Sequence, residues 1–198
     1  MKFIFDLDGT ITVQEILPLI VRYFGVEEDL ANITNEIIQG SVPFIEGFVR
    51  RVHMLGKLPV AKVASLLEQV AFRSKIYEFI QAHKEESVVV TENLDCWVEK
   101  LLNRIGCQWY ASEARVENDK VVSMVKVLNK EQVVKKYQDL GEKIIFIGCG
   151  NNDMEAMRIA DIAITVGLMH HSVNSIVSFT DYLIFDEKAI CRQLNQLF

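Results

Sequence analysis

Five short apolar segments, at residues 3–5, 88–90, 144–147, 162–166 and 182–185, constrain this chain more than any other feature of it. They are rich in β-branched and aromatic residues and show no strict alternation, the pattern of strands covered on both faces of a parallel sheet. Stretches of helical periodicity separate them, so the chain reads as an α/β protein. The spacing is uneven. About eighty residues lie between the first and second segments, where a crossover helix needs only about a dozen. A further unit is therefore inserted there.

Within the insertion, apolar residues recur at helical intervals in four runs: Ile16, Leu17, Leu19, Ile20 and Phe24; Leu30, Ile33, Ile37 and Ile38; Phe44, Phe48, Val49, Val52 and Leu55; Val60, Val63, Leu66, Leu67 and Val70. Gly25, Gly40 and Gly56 punctuate the runs, and Pro43 and Pro59 stand where helices start. The expectation is a four-helix cap over residues 14–70 and a core formed by residues 1–13 and 71–198. Further on, the pattern predicts an amphipathic helix over 94–105 and a third core strand over 107–111. A surface β-hairpin turning at Asn118-Asp119 and a helix over 130–140 that ends at Gly141 complete the reading.

Composition removes several classes of function. Half of the 198 residues are hydrophobic and only 3 are proline, which excludes an extended disordered chain. A formal charge of −6 gives no footprint for nucleic acid or an anionic membrane, and no apolar run approaches the roughly 18 residues of a membrane span. An anionic small substrate stays possible with local cation help. Cys96, Cys107, Cys149 and Cys191 form no CxxC pair and have no histidines at zinc-ligand spacing, so a reducing cytoplasmic setting is expected. His170 and His171 are adjacent, diverge on any helix, and read as surface residues; Trp97 and Trp109 read as packing residues.

The chemistry gathers at strand ends. The first strand runs into Asp6-Leu7-Asp8-Gly9-Thr10, and alternation on an extended segment puts both carboxylates on one side. Crowded carboxylates need a proton or a cation between them. The second strand ends in Thr91-Glu92-Asn93, where a hydroxyl and backbone NH groups at the next helix start suit phosphoryl oxygens or simply cap that helix. Lys130 opens a later helix, and alone it reads as a surface charge. Gly148-Cys149-Gly150-Asn151-Asn152-Asp153 follows the 144–147 strand and permits close backbone approach to a ligand.

In that order these features resemble the four motifs of the haloacid dehalogenase superfamily, and the likeness spans nearly the whole chain. Glu15 and the stretch Phe44-Ile45-Glu46-Gly47-Phe48-Val49-Arg50-Arg51-Val52 resemble the cap of its phosphoserine-phosphatase-like members. The resemblance implies a Rossmann-like parallel-sheet core with an inserted four-helix cap of the C1 type and a small β-hairpin. It further implies a cytoplasmic phosphatase, monomer or homodimer, that hydrolyses a small phosphorylated metabolite through an aspartyl-phosphate. Asp6 would be the nucleophile and Asp8 the general acid and base, with Thr91 and Lys130 holding the phosphoryl oxygens. Asp6, Asp8 and Asp153 would bind Mg²⁺, or Mn²⁺. Glu15 would meet a substrate ammonium and Arg51 its carboxylate, with Phe44 screening the site and Glu92, Asn93 and Asn152 also binding the substrate.

Two residues depart from the family pattern. Cys149 stands where the loop usually carries its first acid, and a thiol suits hard Mg²⁺ poorly. Asp153 entering the metal sphere, an altered metal preference, or a phospholigand-binding protein without catalysis would each accommodate it. Glu92 stands where the subgroup usually has glycine, and it either points to solvent, meets the metal cluster or selects a cationic substrate group.

Overall fold

The structure, a computed structural model, describes residues 1–27, 30, 33, 42, 44–169 and 174–198. Seven strands form one sheet: β1 (Lys2–Asp6), β2 (Ser87–Leu94), β3 (Gln108–Glu117), β4 (Lys120–Lys126), β5 (Ile144–Gly148), β6 (Ile162–Val166) and β7 (Tyr182–Ile184). Their order is β4-β3-β2-β1-β5-β6-β7, and only the β3–β4 pair is antiparallel. The described helices are α1 (Ile16–Phe24), α2 (Phe44–Leu55), α3 (Val60–Leu67), α4 (Ser74–Ala82), α5 (Asp95–Ile105), α6 (Lys130–Gln138), α7 (Met154–Ile159), α8 (Asn174–Val177) and α9 (Glu187–Leu197). None is long and apolar enough to cross a membrane.

Strand β1 explains why the apolar segments do not alternate. Phe3 and Phe5 face one apolar layer with Phe79, Trp97 and Leu101, while Ile4 faces the other with Val88, Val134 and Phe146. Both faces are buried, so Phe3, Ile4 and Phe5 are all apolar. The exception is β7, whose place at the sheet edge leaves Tyr182 and Leu183 exposed.

Helices α1, α2 and α3 add Ile20, Val52, Leu55, Val63 and Leu67 to the same layer as Phe3 and Phe5. Each such burial contributes about 1.5–3 kcal/mol, so the insertion is held by a core it shares with the sheet. Gly25, at φ 65°, closes α1 in the left-handed conformation that glycine adopts without strain. Most of the second helix of the expected cap, residues 31, 32 and 34–38, lies outside the described residues. Helix α3 packs along α5 of the core.

Two boundaries differ from the sequence reading. The third core strand does not stop at residue 111 but runs to Glu117 and turns straight into β4, so the hairpin is the sheet's edge rather than a separate surface piece. Asn118 and Asp119 both have positive φ, 50° and 62°, and a turn of that hand follows the twist of the strands it joins. The hairpin also anchors α3: the Asp119 carbonyl accepts from Val60 N at 2.9 Å and its carboxylate from Ala61 N at 2.8 Å. Likewise β2 continues to Leu94, and α5 begins only at Asp95. Thr91, Glu92 and Asn93 thus belong to a strand whose register against β3 breaks after Val90, and they neither start nor cap a helix.

Candidate active site

Strands run outward in sequence from β1 on both sides, to β2 and β3 one way and, from β5, to β6 and β7 the other. The crevice beyond the carboxyl ends of β1 and β5 is the switch point where open α/β sheets bind ligands. Asp6 ends β1 there, and Gly148 ends β5 beside it.

After Asp6 the chain makes one wide turn over Leu7–Ile11, with Gly9 at φ 70°. Thr12 fixes this turn, accepting from Gly9 N at 3.1 Å and donating to Gln14 O at 2.8 Å. The turn, rather than simple strand alternation, presents Asp8. Ile16 N donates to Asp8 Oδ1 at 2.9 Å and Asn93 Nδ2 to Oδ2 at 2.6 Å. Burial raises the Asp8 pKa to about 6 against the pull of these two donors.

Lys130 is no surface charge. It is 3 % exposed, and its Nζ lies 2.7 Å from Asp6 Oδ1, 2.6 Å from Asp153 Oδ1 and 3.1 Å from Glu92 Oε2. Burial alone would lower its pKa, but Asp153, Asp6 and Glu92 raise it well above the ordinary lysine value. Asp6 is also raised, by burial and then by Asp153, with Lys130 pulling the other way.

The loop after β5 is built around Asp153, which is wholly buried. Its Oδ2 accepts from Cys149 N at 2.9 Å and Gly150 N at 3.0 Å. A β-carbon at Gly148 would collide with this carboxylate, so the close approach requires glycine. Cys149 Sγ donates to the main-chain carbonyl of Asp8 at 3.1 Å. Burial, and then Asp6 and Asp153, push this thiol up.

Glu92 turns into the cluster rather than to solvent, accepting from Asn152 Nδ2 at 2.7 Å as well as meeting Lys130. Burial raises its pKa. Thr91 is buried, and its Oγ1 accepts from Asn93 N at 3.2 Å and Asn93 Nδ2 at 2.9 Å. Beside these groups opens a cavity of about 510 Å³, with Asp8, Glu92, Asn93 and Asn152 on the core side and Glu15 and Arg51 on the insertion side. Arg51 is half-buried, and burial lowers its pKa while Glu15 opposes the shift. Apolar walls come from Val21, Phe48 and Leu55 among others.

The side chain of Phe44 and both His170 and His171 lie outside the described residues. Trp97 is wholly buried in the core, and Trp109 donates to Asn103 Oδ1 at 3.1 Å, so both pack. All four cysteines are free. Sequence reasoning missed Thr12, Arg73 and Met169. Arg73 Nε donates to Gly9 O at 3.4 Å, and a β-carbon at Gly9 would meet Met169 Sδ at 3.0 Å and Cys149 Sγ at 3.3 Å. No local pattern marks Arg73 or Met169, whereas Thr12 sits just after the Asp-rich turn, where a hydroxyl clamp is common chemistry.

Comparison with known proteins agrees with this geometry. The family model for haloacid dehalogenase-like hydrolases matches residues 3–161. The phosphoserine phosphatase of Methanocaldococcus jannaschii is 26 % identical over 174 residues, 81 % of this chain and 82 % of that protein. That of Archaeoglobus fulgidus is 22 % identical over 81 % of this chain but only 51 % of its own length, so the chain spans about half of that relative. Among solved structures, a substrate-bound phosphoserine phosphatase complex shares the fold with a TM-score of 0.80 at 21 % identity, covering 98 % of each chain. A phospho-aspartyl intermediate analogue of phosphoserine phosphatase does so with a TM-score of 0.79, also at 21 % identity, over 96 % of this chain and 97 % of the other. With its family match running from β1 to the residue before β6, and its acids and lysine meeting at the switch point between β1 and β5, the chain belongs to the haloacid dehalogenase-like hydrolases and is phosphoserine-phosphatase-like among them.

Proposed function

We propose that this hydrolase removes the phosphoryl group of a small, phosphoserine-like phosphomonoester through an aspartyl-phosphate formed on Asp6. The observation that carries this reading is the buried ammonium of Lys130, shared between Asp6 and Asp153 at the mouth of the sheet. It fixes one oxygen of Asp6 and leaves the other to attack phosphorus. Relatives that bear the name phosphoserine phosphatase support a small phosphorylated substrate.

Asp8, with a pKa of about 6, keeps part of its proton near neutral pH and gives it to the leaving oxygen. The carboxylate so formed then takes a proton from the water that hydrolyses the aspartyl-phosphate. Lys130 and Thr91 hold the transferring oxygens, where charge neutralisation and positioning supply most of the rate. Asn93 and Asn152 line the phosphoryl end of the cavity with Glu92, and Glu15 and Arg51 face a substrate's ammonium and carboxylate across it. The role of Phe44 rests on the family resemblance alone.

Haloacid dehalogenase phosphatases generally use magnesium. Here Asp6, Asp153 and the main-chain carbonyl of Asp8 offer oxygen donors, and Asp6, Asp8, Glu92 and Asp153 crowd against one lysine. This charge balance and these donors fit a divalent cation, which Asp6, Asp8 and Asp153 would hold. When bound, such an ion offsets the charge gathered by the acids and the phosphate.

Phosphate release over a panel of phosphomonoesters tests the reading. We expect turnover of at least one small substrate by the native chain and none by Asp6→Asn; activity that survives Asp6→Asn overturns it.

A further inference from the structure

Lys130 has no donor to spare. An ammonium carries three N–H groups, and three carboxylates face this one: Asp6 Oδ1 at 2.7 Å, Asp153 Oδ1 at 2.6 Å and Glu92 Oε2 at 3.1 Å. A phosphoryl oxygen held by Lys130 therefore takes the place of one of them. Glu92 is the acid that a ligand reaches. Its contact is the longest of the three, and it lines the cavity, which Asp6 and Asp153 do not.

A displaced Glu92 needs another cation. The residue is buried, and its hydrogen bond from Asn152 Nδ2 at 2.7 Å does not offset a buried charge. The cavity supplies none. Among the described residues that line it, Asp8, Glu15, Glu27 and Glu92 are acids and Arg51 is the one base, and Glu15 is the acid that acts on Arg51. A divalent ion held by Asp6, Asp8 and Asp153 is matched by those acids and by the phosphoryl group itself. The remaining source of positive charge is the organic part of the ligand.

We propose that Glu92 determines specificity by exchanging partners: the phosphoryl group takes Lys130 from it, and it takes an ammonium group carried by the substrate. The substrates so selected are phosphate monoesters of amino alcohols, with the nitrogen a short chain away from the ester oxygen. A neutral monoester takes Lys130 and gives Glu92 nothing in return. It leaves a buried carboxylate without a cation beside a phosphoryl dianion, and that repulsion discriminates as strongly as the new ion pair attracts. The inference deepens the proposed function, since it rests on the reading of this crevice as a phosphoryl site, and it assigns to Glu92 a selection that Glu15 alone does not make.

Calorimetry on the full-length chain, with magnesium present, tests it through binding rather than turnover. The probes are aminopropylphosphonate, which replaces the ester oxygen of aminoethyl phosphate by a methylene, and butylphosphonate, which has a methyl group where the first has its ammonium. The native chain should bind the amino probe at least about tenfold more tightly than the neutral one. Glu92→Gln keeps an oxygen for Asn152 but no charge. In that variant butylphosphonate should bind about tenfold more tightly than it does to the native chain, and the ratio between the probes should fall to within about twofold of one. Glu27→Gln removes an equal charge from the same cavity and should leave the native ratio in place to within about twofold. Circular dichroism melting establishes that each variant is folded, with Glu92→Gly as the substitute if Glu92→Gln is not. A native chain without the preference, a ratio that survives Glu92→Gln, or an equal fall in Glu27→Gln overturns the inference. Phosphate release by the native chain together with any of these results refutes it while leaving the phosphatase reading intact. A ratio that collapses in Glu92→Gln, with no monoester hydrolysed by the native chain, does the reverse, and binding of neither probe overturns both.

Discussion

Asn93 Nδ2 donates to Asp8 Oδ2 at 2.6 Å, so a residue of β2 sets the orientation and the acidity of a carboxylate on the turn after β1. The hydrogen bond lowers a pKa that burial has raised to about 6. If Asp8 is the acid of the proposed mechanism it must be protonated to serve the leaving oxygen, and the rate falls as pH rises through that value. Asn93→Ala removes a lowering influence, so the alkaline limb of the kcat profile should move to higher pH even as kcat drops, by about tenfold or more for a misplaced acid. A limb that stays in place or moves down would count against Asp8 as the acid.

Lys130→Met should destabilise the fold by roughly 3–5 kcal/mol at pH 8, since it leaves Asp6, Asp153 and Glu92 buried without their cation. The sign of the pH dependence follows from those acids. Burial already holds the pKa values of Asp6 and Glu92 above those of the unfolded chain, and removing the cation raises them further, so stability is present at low pH and lost as pH rises through the folded values. The deficit against the native chain should therefore shrink toward pH 4. Thermal melts of both chains between pH 4 and pH 8 measure it.

Gly148→Ala places a methyl group against the Asp153 carboxylate. Displacing that carboxylate moves both Lys130 and the Cys149–Gly150 backbone it holds, and a displacement of this kind costs about a hundredfold in turnover. The loss should appear in kcat with circular dichroism preserved.

Asp119→Ala should lower stability by about 1–2 kcal/mol, from the lost acceptor at the start of α3 and the strain of alanine at positive φ. Asp119→Asn keeps the acceptor and tolerates the conformation, so its melting temperature should stay within a degree or two of native. Turnover at a temperature where both variants are folded should be close to normal, because Asp119 stands away from the crevice among the cap contacts.

Much of the candidate site's geometry was legible because the fold displays it at strand ends. An apolar run followed by Asp6-Leu7-Asp8-Gly9-Thr10 could be placed at a sheet's carboxyl edge from sequence alone, and Gly148 and Asp153 mark the second such edge. Lys130 was a surface charge by default, and only its place in the series of motifs singled it out. Its three carboxylate partners are 124, 38 and 23 residues away in the sequence, beyond any local pattern. The direction of Glu92 was equally hidden, because one carboxylate after an apolar strand reads alike whether it meets water or Asn152. The length of β3 escaped because Ser112, Glu113 and Arg115 look like a loop until β4 pairs with that stretch.

Strand β1 is the middle of the sheet, between β2 and β5. Its partners are made long after it on the ribosome: Phe3 waits for Ser87 on one side, and Lys2 for Ile144 on the other. A nascent chain stalled before Ile144 thus carries an unpaired edge flanked by Phe3, Ile4 and Phe5, an adhesive strand with nothing beside it. The acid that ends this strand acquires its lysine only when residue 130 emerges, so the crevice and the sheet that bears it are completed late in synthesis.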